Sequence, residues 1–414
     1  MATIGIMGDD GRAHALAHMF DRFGHRSVVF PGNAGMQRFL PEKDSYVPAL
    51  LSPECIAWGK KQDFDLVIPS AEHHLAEGLV DSWRVGGHRV YGPTRAVFNE
   101  LEGSKARTHM TCAAIHVPRP KTVICTGFYE AYKIAKEVFG AKVVIKADGL
   151  ARGKGAIRCD SMNEVNWALK KLLTDDVPVA KNGTIVLEEF LEGGREAEFS
   201  MEALTGGVKF VPLPAVRDSK LFKGKMTGGM GAWGPVALFE EKAHDLFIGK
   251  TLRHLQAIGT PYQGNLFAGI MGNKLLEYNN RGGSPETQVW SRLIDSDPYP
   301  LYKSAADGCA EGNLKIKKGF VVSVVLAAEG YPDKVIPGAK ITGLEEAKKV
   351  LGVEIFYSNA SHNWLENSWF VSGGRVVDVT AYGTTLEEAR ERAYRAVSMI
   401  HFDGMQYDET IGLS

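Results

Sequence analysis

Residues 275–288 read LLEYNNRGGSPETQ, an apolar run that turns polar just before a pair of glycines. In an extended chain Glu277, Asn279 and Arg281 alternate onto one face, so a carboxylate, an amide and a guanidinium share one side of a strand. A carboxylate and an amide oxygen are hard donors, suited to a divalent cation such as Mg2+, which binds through one or two protein oxygens plus substrate phosphates. The guanidinium beside them can hold a phosphate or a carboxylate through two parallel hydrogen bonds. A solvated polar strand edge fits the same residues, so the rest of the chain must decide.

Two upstream stretches bear on the choice. In VVIKADGLARGKGA, residues 143–156, Lys146 lies near a strand end, and Gly149, Gly153, Lys154 and Gly155 follow in a turn. Glycines let backbone N–H groups approach phosphate oxygens, and the lysines add positive charge. Neither the P-loop pattern nor the Rossmann G-x-G-x-x-G is present, so phosphate binding and a plain glycine-rich hairpin both fit. In TIVLEEFLEGGREAEFS, residues 184–200, Glu188 and Glu189 end an apolar run and Glu196 follows a Gly-Gly turn. Such a connection can take a base on its backbone while a carboxylate accepts from ribose hydroxyls; a solvated acidic hairpin is the other reading.

The whole chain sets bounds on these readings. At 414 residues it exceeds one hydrophobic core and fits several domains. With 48 basic and 49 acidic residues interleaved, net charge is -1, which argues against a nucleic-acid partner and for small-molecule chemistry. No apolar run approaches the roughly 18 to 20 residues of a membrane span. The opening MATIGIMGDDGRAHAL reads as a first strand rather than a targeting peptide, so a cytoplasmic location is expected. Cys55, Cys112, Cys125, Cys159 and Cys309 are widely spaced with no C-x-x-C pair, and all are expected as free thiols.

Strand-like and helix-like runs alternate over residues 1–100, with strands expected at 65–70 and 88–93, which predicts a parallel sheet with crossover helices. A second α/β block spans 101–316, with strands at 121–125, 141–147 and 184–191 and helices at 128–139 and 162–173. From 317 to 414 the pattern predicts a compact α+β unit that closes with a helix over 385–400. His73 and His74 beside Glu72 suggest a metal at first sight, but neighbours on a strand point to opposite faces, which favours loop or substrate contacts.

Lys105 in LEGSKA, Lys146 and Lys154, LEEFLEGGREAEF, TGGMGAWGP at 227–235 and LLEYNNRGGSPETQ occur in the order found in ATP-grasp ligases. Among them the chain resembles the phosphoribosylamine-glycine ligase family of purine biosynthesis. The likeness extends over nearly the full length, through GDDGRAHAL, FPGNAG, YGPT, YQGNLFAGIM, VVSVVLAAEGYP and SGGRVVDVTAYG. It implies an α/β ATP-grasp fold with an N-terminal parallel-sheet domain, a lid at about 120–190 and a C-terminal α+β domain. It also implies amide formation from ATP, a carboxylate and an amine through an acyl phosphate, by a monomer. Carried onto matching positions, Lys105 and Lys146 contact ATP phosphates, the loop from Gly149 through Gly153 and Lys154 to Gly155 closes over them, and Glu188, Glu189, Phe190 and Leu191 line the adenine pocket. Glu196 meets the ribose, and Glu277 and Asn279 bind Mg2+ or Mn2+. Arg281 and Lys146 act on the reacting groups, and Glu72, Asp218, Gly229, Arg281 and Gly283 face the substrates.

The departures from the family pattern lie on the substrate side. Ala13 stands where the family has Glu, PSAEHHL at 69–75 where it has Gly-Pro-Glu-Ala-Pro-Leu, and Gly282, Gly283 and Ser284 where it has Phe-Gly-Asp. RDSKLFKGKM at 217–226 replaces a longer acidic, glycine-rich loop, and YSNA at 357–360 replaces His-Ala-Gly-Thr. Three functions are open: the family's own reaction, a related ligase turned to another carboxylate or amine, and a nucleotide-binding protein without turnover.

Overall fold

The computed structural model describes residues 1–41, 49–149, 155–173, 183–192, 198–237 and 242–413. Near the N-terminus the β-branched runs Thr3–Gly8, Arg26–Pro31 and Leu66–Pro69 form a parallel three-stranded sheet with Thr3–Gly8 in the centre. The helix Gly11–Asp21 follows the central strand directly, capped by Asp10, whose carboxylate accepts from the Ala13 amide. Residues 88–93 were expected as a strand, but only Val90 bridges to Val67. Gly92 and Pro93 follow at once, and Pro93 has no amide with which to continue a ladder. The stretch holding His73 and His74 is a short helix, Glu72–Ala76, and not a strand, so the two rings lie side by side with centroids 3.8 Å apart.

The strands Thr122–Thr126, Val143–Ala147, Ala156–Cys159 and Thr184–Glu189 form an antiparallel four-stranded sheet with its own core. The helix Met162–Leu173 lies where the spacing predicts it, burying Val165, Ala168, Leu169 and Leu172 at three- and four-residue intervals. The expected helix over 128–139 is Phe128–Ile134 continued by a wider π turn, Ala135–Phe139. A second antiparallel sheet joins Lys274–Asn279, Gln263–Met271, Glu198–Gly206 and Lys209–Pro212 in that order.

The third large sheet crosses the sequence boundaries. Arg217–Asp218 and Gly231–Gly234 pair edge to edge with Phe320–Ala327, Arg375–Gly383 and Val353–Tyr357 from the C-terminal region. The closing helix Leu386–Val397 packs on this sheet through Leu386, Ala389, Ala393, Ala396 and Val397. One apolar cluster, containing Ile4, Leu204, Trp290 and Val321, spans all three regions of the chain. Cys55, Cys112, Cys125 and Cys159 are buried and Cys309 is exposed, all as free thiols. Among the described residues no helix is long and apolar enough to cross a membrane.

Candidate active site

The strand Lys274–Asn279 owes its chemistry to an irregularity. Glu277 pairs with Gly269 but Leu275 pairs with Ile270, which leaves Leu276 as an extra residue in the ladder. The bulge resets the alternation, so Leu275 and Tyr278, three apart, both enter the core behind the sheet. Glu277 and Asn279 turn the other way, with Asn279 Nδ2 3.5 Å from Glu277 Oε1. Burial opposes ionisation of Glu277, but Lys220, Lys146 and Lys105 overcome it and hold its pKa below the ordinary glutamate value. One ionised carboxylate and one amide, whose oxygen comes forward on a half-turn, make a hard donor pair with places left for phosphate oxygens and water. Among the described residues no cluster of three acidic, His or Cys side chains offers a closed metal cage.

The lysines converge on this face from two other elements. Ser104 caps the helix Lys105–Ala114, and the Asp148 carboxylate accepts from the Ser104 hydroxyl and from the Ala106 amide at 3.1 Å. Lys105 Nζ donates to Gly149 O at 2.8 Å, which ties the helix start to the glycine turn, and burial lowers its pKa. Lys146 Nζ lies 2.7 Å from Glu188 Oε2 and 3.4 Å from the carbonyl of the bulged Leu276. Glu188 is 2% exposed, and its other oxygen faces His109 Nε2 at 2.7 Å. Burial raises the Glu188 pKa, but Lys146 and His109 more than reverse that and bring it to about 2. The carboxylate expected to line an adenine pocket is thus committed to a lysine and a histidine.

Around Glu188 the other expected nucleotide residues divide. Glu189 accepts from the Lys121 amide at 3.0 Å and from Lys274 Nζ at 2.8 Å, so its side chain is also engaged. The Phe190 ring carries the Arg158 guanidinium at 3.9 Å from its centroid, and Leu191 follows half-buried. Gly155 leads into the strand Ala156–Cys159, its carbonyl accepting from the Ala147 amide at 2.8 Å. Gly153, Lys154 and Glu196 lie outside the described residues.

On the far side of Asn279 the chain turns toward the N-terminal sheet. Arg281 Nε lies 3.4 Å from Glu72 Oε2, and Arg12 reaches the same oxygen at 3.7 Å while donating to Gly282 O at 2.7 Å. Burial raises the Glu72 pKa, yet Arg281 and Arg12 take it down to about 2. Arg281 is held charged by Glu72 and Glu102 against burial. Glu102 receives the Asn280 amide at 2.7 Å, and burial raises its pKa to about 7. Gly283 N donates to Glu202 Oε1 at 3.1 Å. Gly229, at φ +102°, approaches Pro285 so closely that a Cβ there would meet its Cδ at 2.8 Å.

Several side chains that complete the site were not singled out in the sequence. Arg375 Nη1 donates to Gly228 O at 2.5 Å and Ser284 O at 2.7 Å, which clamps the 227–230 turn against the 282–285 turn. Lys220 Nζ sits 3.1 Å from Glu198 Oε1, 3.7 Å from Glu277 Oε1 and 3.9 Å from Asp218 Oδ2. Burial works against that ammonium, but Asp218, Glu198 and Glu277 hold its pKa well above the ordinary lysine value. His109 and Arg12 lie in regions rich in ordinary polar residues, and only their partners mark them out.

Family models for phosphoribosylglycinamide synthetase match the chain in three parts: the N domain over residues 2–102, the ATP-grasp (A) domain over 103–287 and the C domain over 321–414. The chain belongs to the phosphoribosylglycinamide synthetase family. It is 36% identical to phosphoribosylamine--glycine ligase of Thermotoga maritima, over 99% of this chain and 98% of that protein. It is 35% identical to the ligase of the same name from Brucella melitensis, over 98% of this chain and 96% of that one. The human trifunctional purine biosynthetic protein adenosine-3 is 34% identical over 99% of this chain, which covers 42% of that longer protein. The crystal structure of the Thermotoga maritima ligase superposes with a TM-score of 0.82 at 31% identity, covering 98% of this chain and 99% of that one. Biotin carboxylase from Campylobacter jejuni shares the fold at a TM-score of 0.72 and 15% identity, covering 100% of this chain and 94% of that one. The expected α/β ATP-grasp class is therefore correct for this member of the synthetase family.

Proposed function

We propose that the protein joins a carboxylate to an amine at the expense of ATP, most simply glycine to phosphoribosylamine, giving glycinamide ribonucleotide, ADP and phosphate. The reading is carried by the placing of Lys105, Lys146 and Arg281 within electrostatic reach of Glu277, with Asn279 beside that carboxylate. A carboxylate oxygen attacks the γ-phosphorus, the bond to the β-bridging oxygen breaks, and ADP departs. The amine then adds to the acyl phosphate carbon, inorganic phosphate leaves, and the amine gives up a proton.

In this scheme Lys146, fixed by Glu188, and Lys105, fixed to the glycine turn, hold the phosphates while their charge redistributes. Backbone groups of residues 188–191 take the adenine, since the carboxylates of Glu188 and Glu189 are engaged elsewhere. Glu277 and Asn279 would hold Mg2+ or Mn2+, and the cation would supply charge neutralisation for the phosphate oxygens. Arg281, oriented by Glu72, holds the reacting phosphate or carboxylate, and Asp218, Gly229 and Gly283 line the substrate side. The unit with its own core over 122–189 is the lid, residues 1–100 present the amine side, and the enzyme works as a cytoplasmic monomer.

Incubation with ATP, Mg2+, glycine and phosphoribosylamine tests this, with ADP, phosphate and amide formed in equal amounts as the expected result. Tight ATP binding with no amide from this pair would exclude the substrate assignment. One observation favours a second reading, in which the amine differs. The amides of Gly11 and Ala13, at the helix start where a substrate phosphate could bind, are taken by Ser358 Oγ at 2.9 Å and Asp10 Oδ1 at 3.0 Å. Asp9 and Asp10 also place two carboxylates there. A panel of amines lacking phosphate separates the two readings through the acceptor that gives the highest kcat/KM.

A further inference from the structure

The Lys220 ammonium stands among Glu198, Asp218 and the metal-facing carboxylate Glu277 together. Its distances are unequal. The tight contact is to Glu198 at 3.1 Å, whereas Glu277, at 3.7 Å, is held at the edge of ion-pair range. An ammonium with that geometry can let Glu277 go and keep Glu198 as its counter-ion, so its own charge stays compensated when it does. Glu277 alone then turns its oxygens to another cation. Near the other end of the residue, the Lys220 carbonyl accepts from the Thr227 amide at 2.8 Å and the Thr227 hydroxyl at 2.9 Å. The stem is thereby rooted in the 227–230 turn that Arg375 clamps to the 282–285 turn.

We propose that Lys220 is a tethered counter-ion that neutralises Glu277 before the divalent cation arrives and yields that carboxylate to it, withdrawing toward Glu198. It is a positioning residue for the metal site, and the inference rests on reading Glu277 as a metal ligand. Two consequences follow from electrostatics alone. A fixed positive charge beside the site weakens binding of a divalent cation that arrives without nucleotide, because the two cations repel at short range. The charges of the polyphosphate offset that repulsion, so metal enters most favourably together with ATP.

The test is binding of Mn2+ alone, followed by the electron paramagnetic resonance of the free ion, to the full-length protein and three variants. Lys220→Met keeps an unbranched stem near the Phe267 ring, over which the ammonium now lies at 5.7 Å, and removes only the charge. We expect it to bind Mn2+ at least tenfold more tightly than the unsubstituted protein, and Lys220→Arg to stay within a few-fold of it. Glu277→Gln checks the underlying reading separately and should weaken binding tenfold or more. Equal or weaker Mn2+ affinity in Lys220→Met, with Glu277→Gln still weakened, would overturn the counter-ion role while leaving the metal assignment intact. Unchanged affinity in Glu277→Gln would sink the metal assignment and the proposal with it. If Lys220→Met does not fold, as judged by circular dichroism, Lys220→Gln takes its place with the same expected sign.

Discussion

Replacing Glu188 by Gln removes one negative charge from between Lys146 and His109 and changes little else in shape. Its consequence can be sized from the site. Lys146 and His109 outweigh burial and bring the Glu188 pKa from an ordinary 4.5 to about 2. At about 1.4 kcal/mol per pKa step that is about 3 kcal/mol. Because the folded-state pKa is depressed, this stability is fully present above about pH 4.5 and disappears as pH falls through about 2. A chain of several cores need not unfold in one step, so the appropriate assay is local. Hydrogen exchange in Val143–Ala147 and Thr184–Glu189, the paired strands that carry Lys146 and Glu188, reports the opening free energy of that sheet. Glu188→Gln should lower it by about 3 kcal/mol at pH 7 and by clearly less at pH 3. A loss of equal size at both pH values would show that the substitution acts through packing and would refute the charge argument. The same variant should raise the KM for ATP, since Lys146 loses the partner that fixes it.

Glu277→Gln combined with Asn279→Ala should abolish turnover while leaving the circular dichroism unchanged, and full activity in the folded double variant would exclude this strand as the metal site. Arg375→Met removes two bonds from a charged donor, each worth about 1.5 to 3 kcal/mol, and should raise the KM of carboxylate and amine while the Kd of ATP stays constant. Calorimetric titration with ATP checks the second half of that statement. Glu102 differs in sign from Glu188: burial raises its pKa to about 7, so it costs the folded state increasingly as pH climbs from about 4.5 to 7. Glu102→Gln should therefore flatten the fall in stability between pH 5 and pH 7 by about 2 kcal/mol, measured by hydrogen exchange in Lys274–Asn279 at each pH.

What sequence could reveal here followed the range of the forces involved. The helix Met162–Leu173 declares itself through apolar spacing, because one face packs against one sheet. Lys105, Lys146, Glu277 and Asn279 stand out as candidates because their residue types and order suggest phosphate and metal chemistry. The bulge at Leu276 was not legible, since strict alternation and a reset ladder place Glu277 and Asn279 on the same face. Glu188 was read for its position at a strand end, whereas its partners come from His109, 79 residues away, and from Lys146 on the neighbouring strand. Lys220 and Arg375 carry no local signature at all. Their meaning lies in carboxylates and carbonyls that the chain brings to them from distant positions.

The strand Gly231–Gly234 pairs on one edge with Arg217–Asp218 and on the other with Phe320–Ala327. A chain cut at residue 316 would therefore bare a row of backbone donors and acceptors on each fragment, the kind of edge that recruits strands from other molecules. Two such fragments should be poorly soluble apart and should reassemble when expressed together, whereas exchange of the C-terminal hundred residues between relatives would graft a foreign neighbour onto the turn that holds Gly229. The C-terminal region is in this sense a structural half of the 227–230 turn, and the two should be transplanted as a pair.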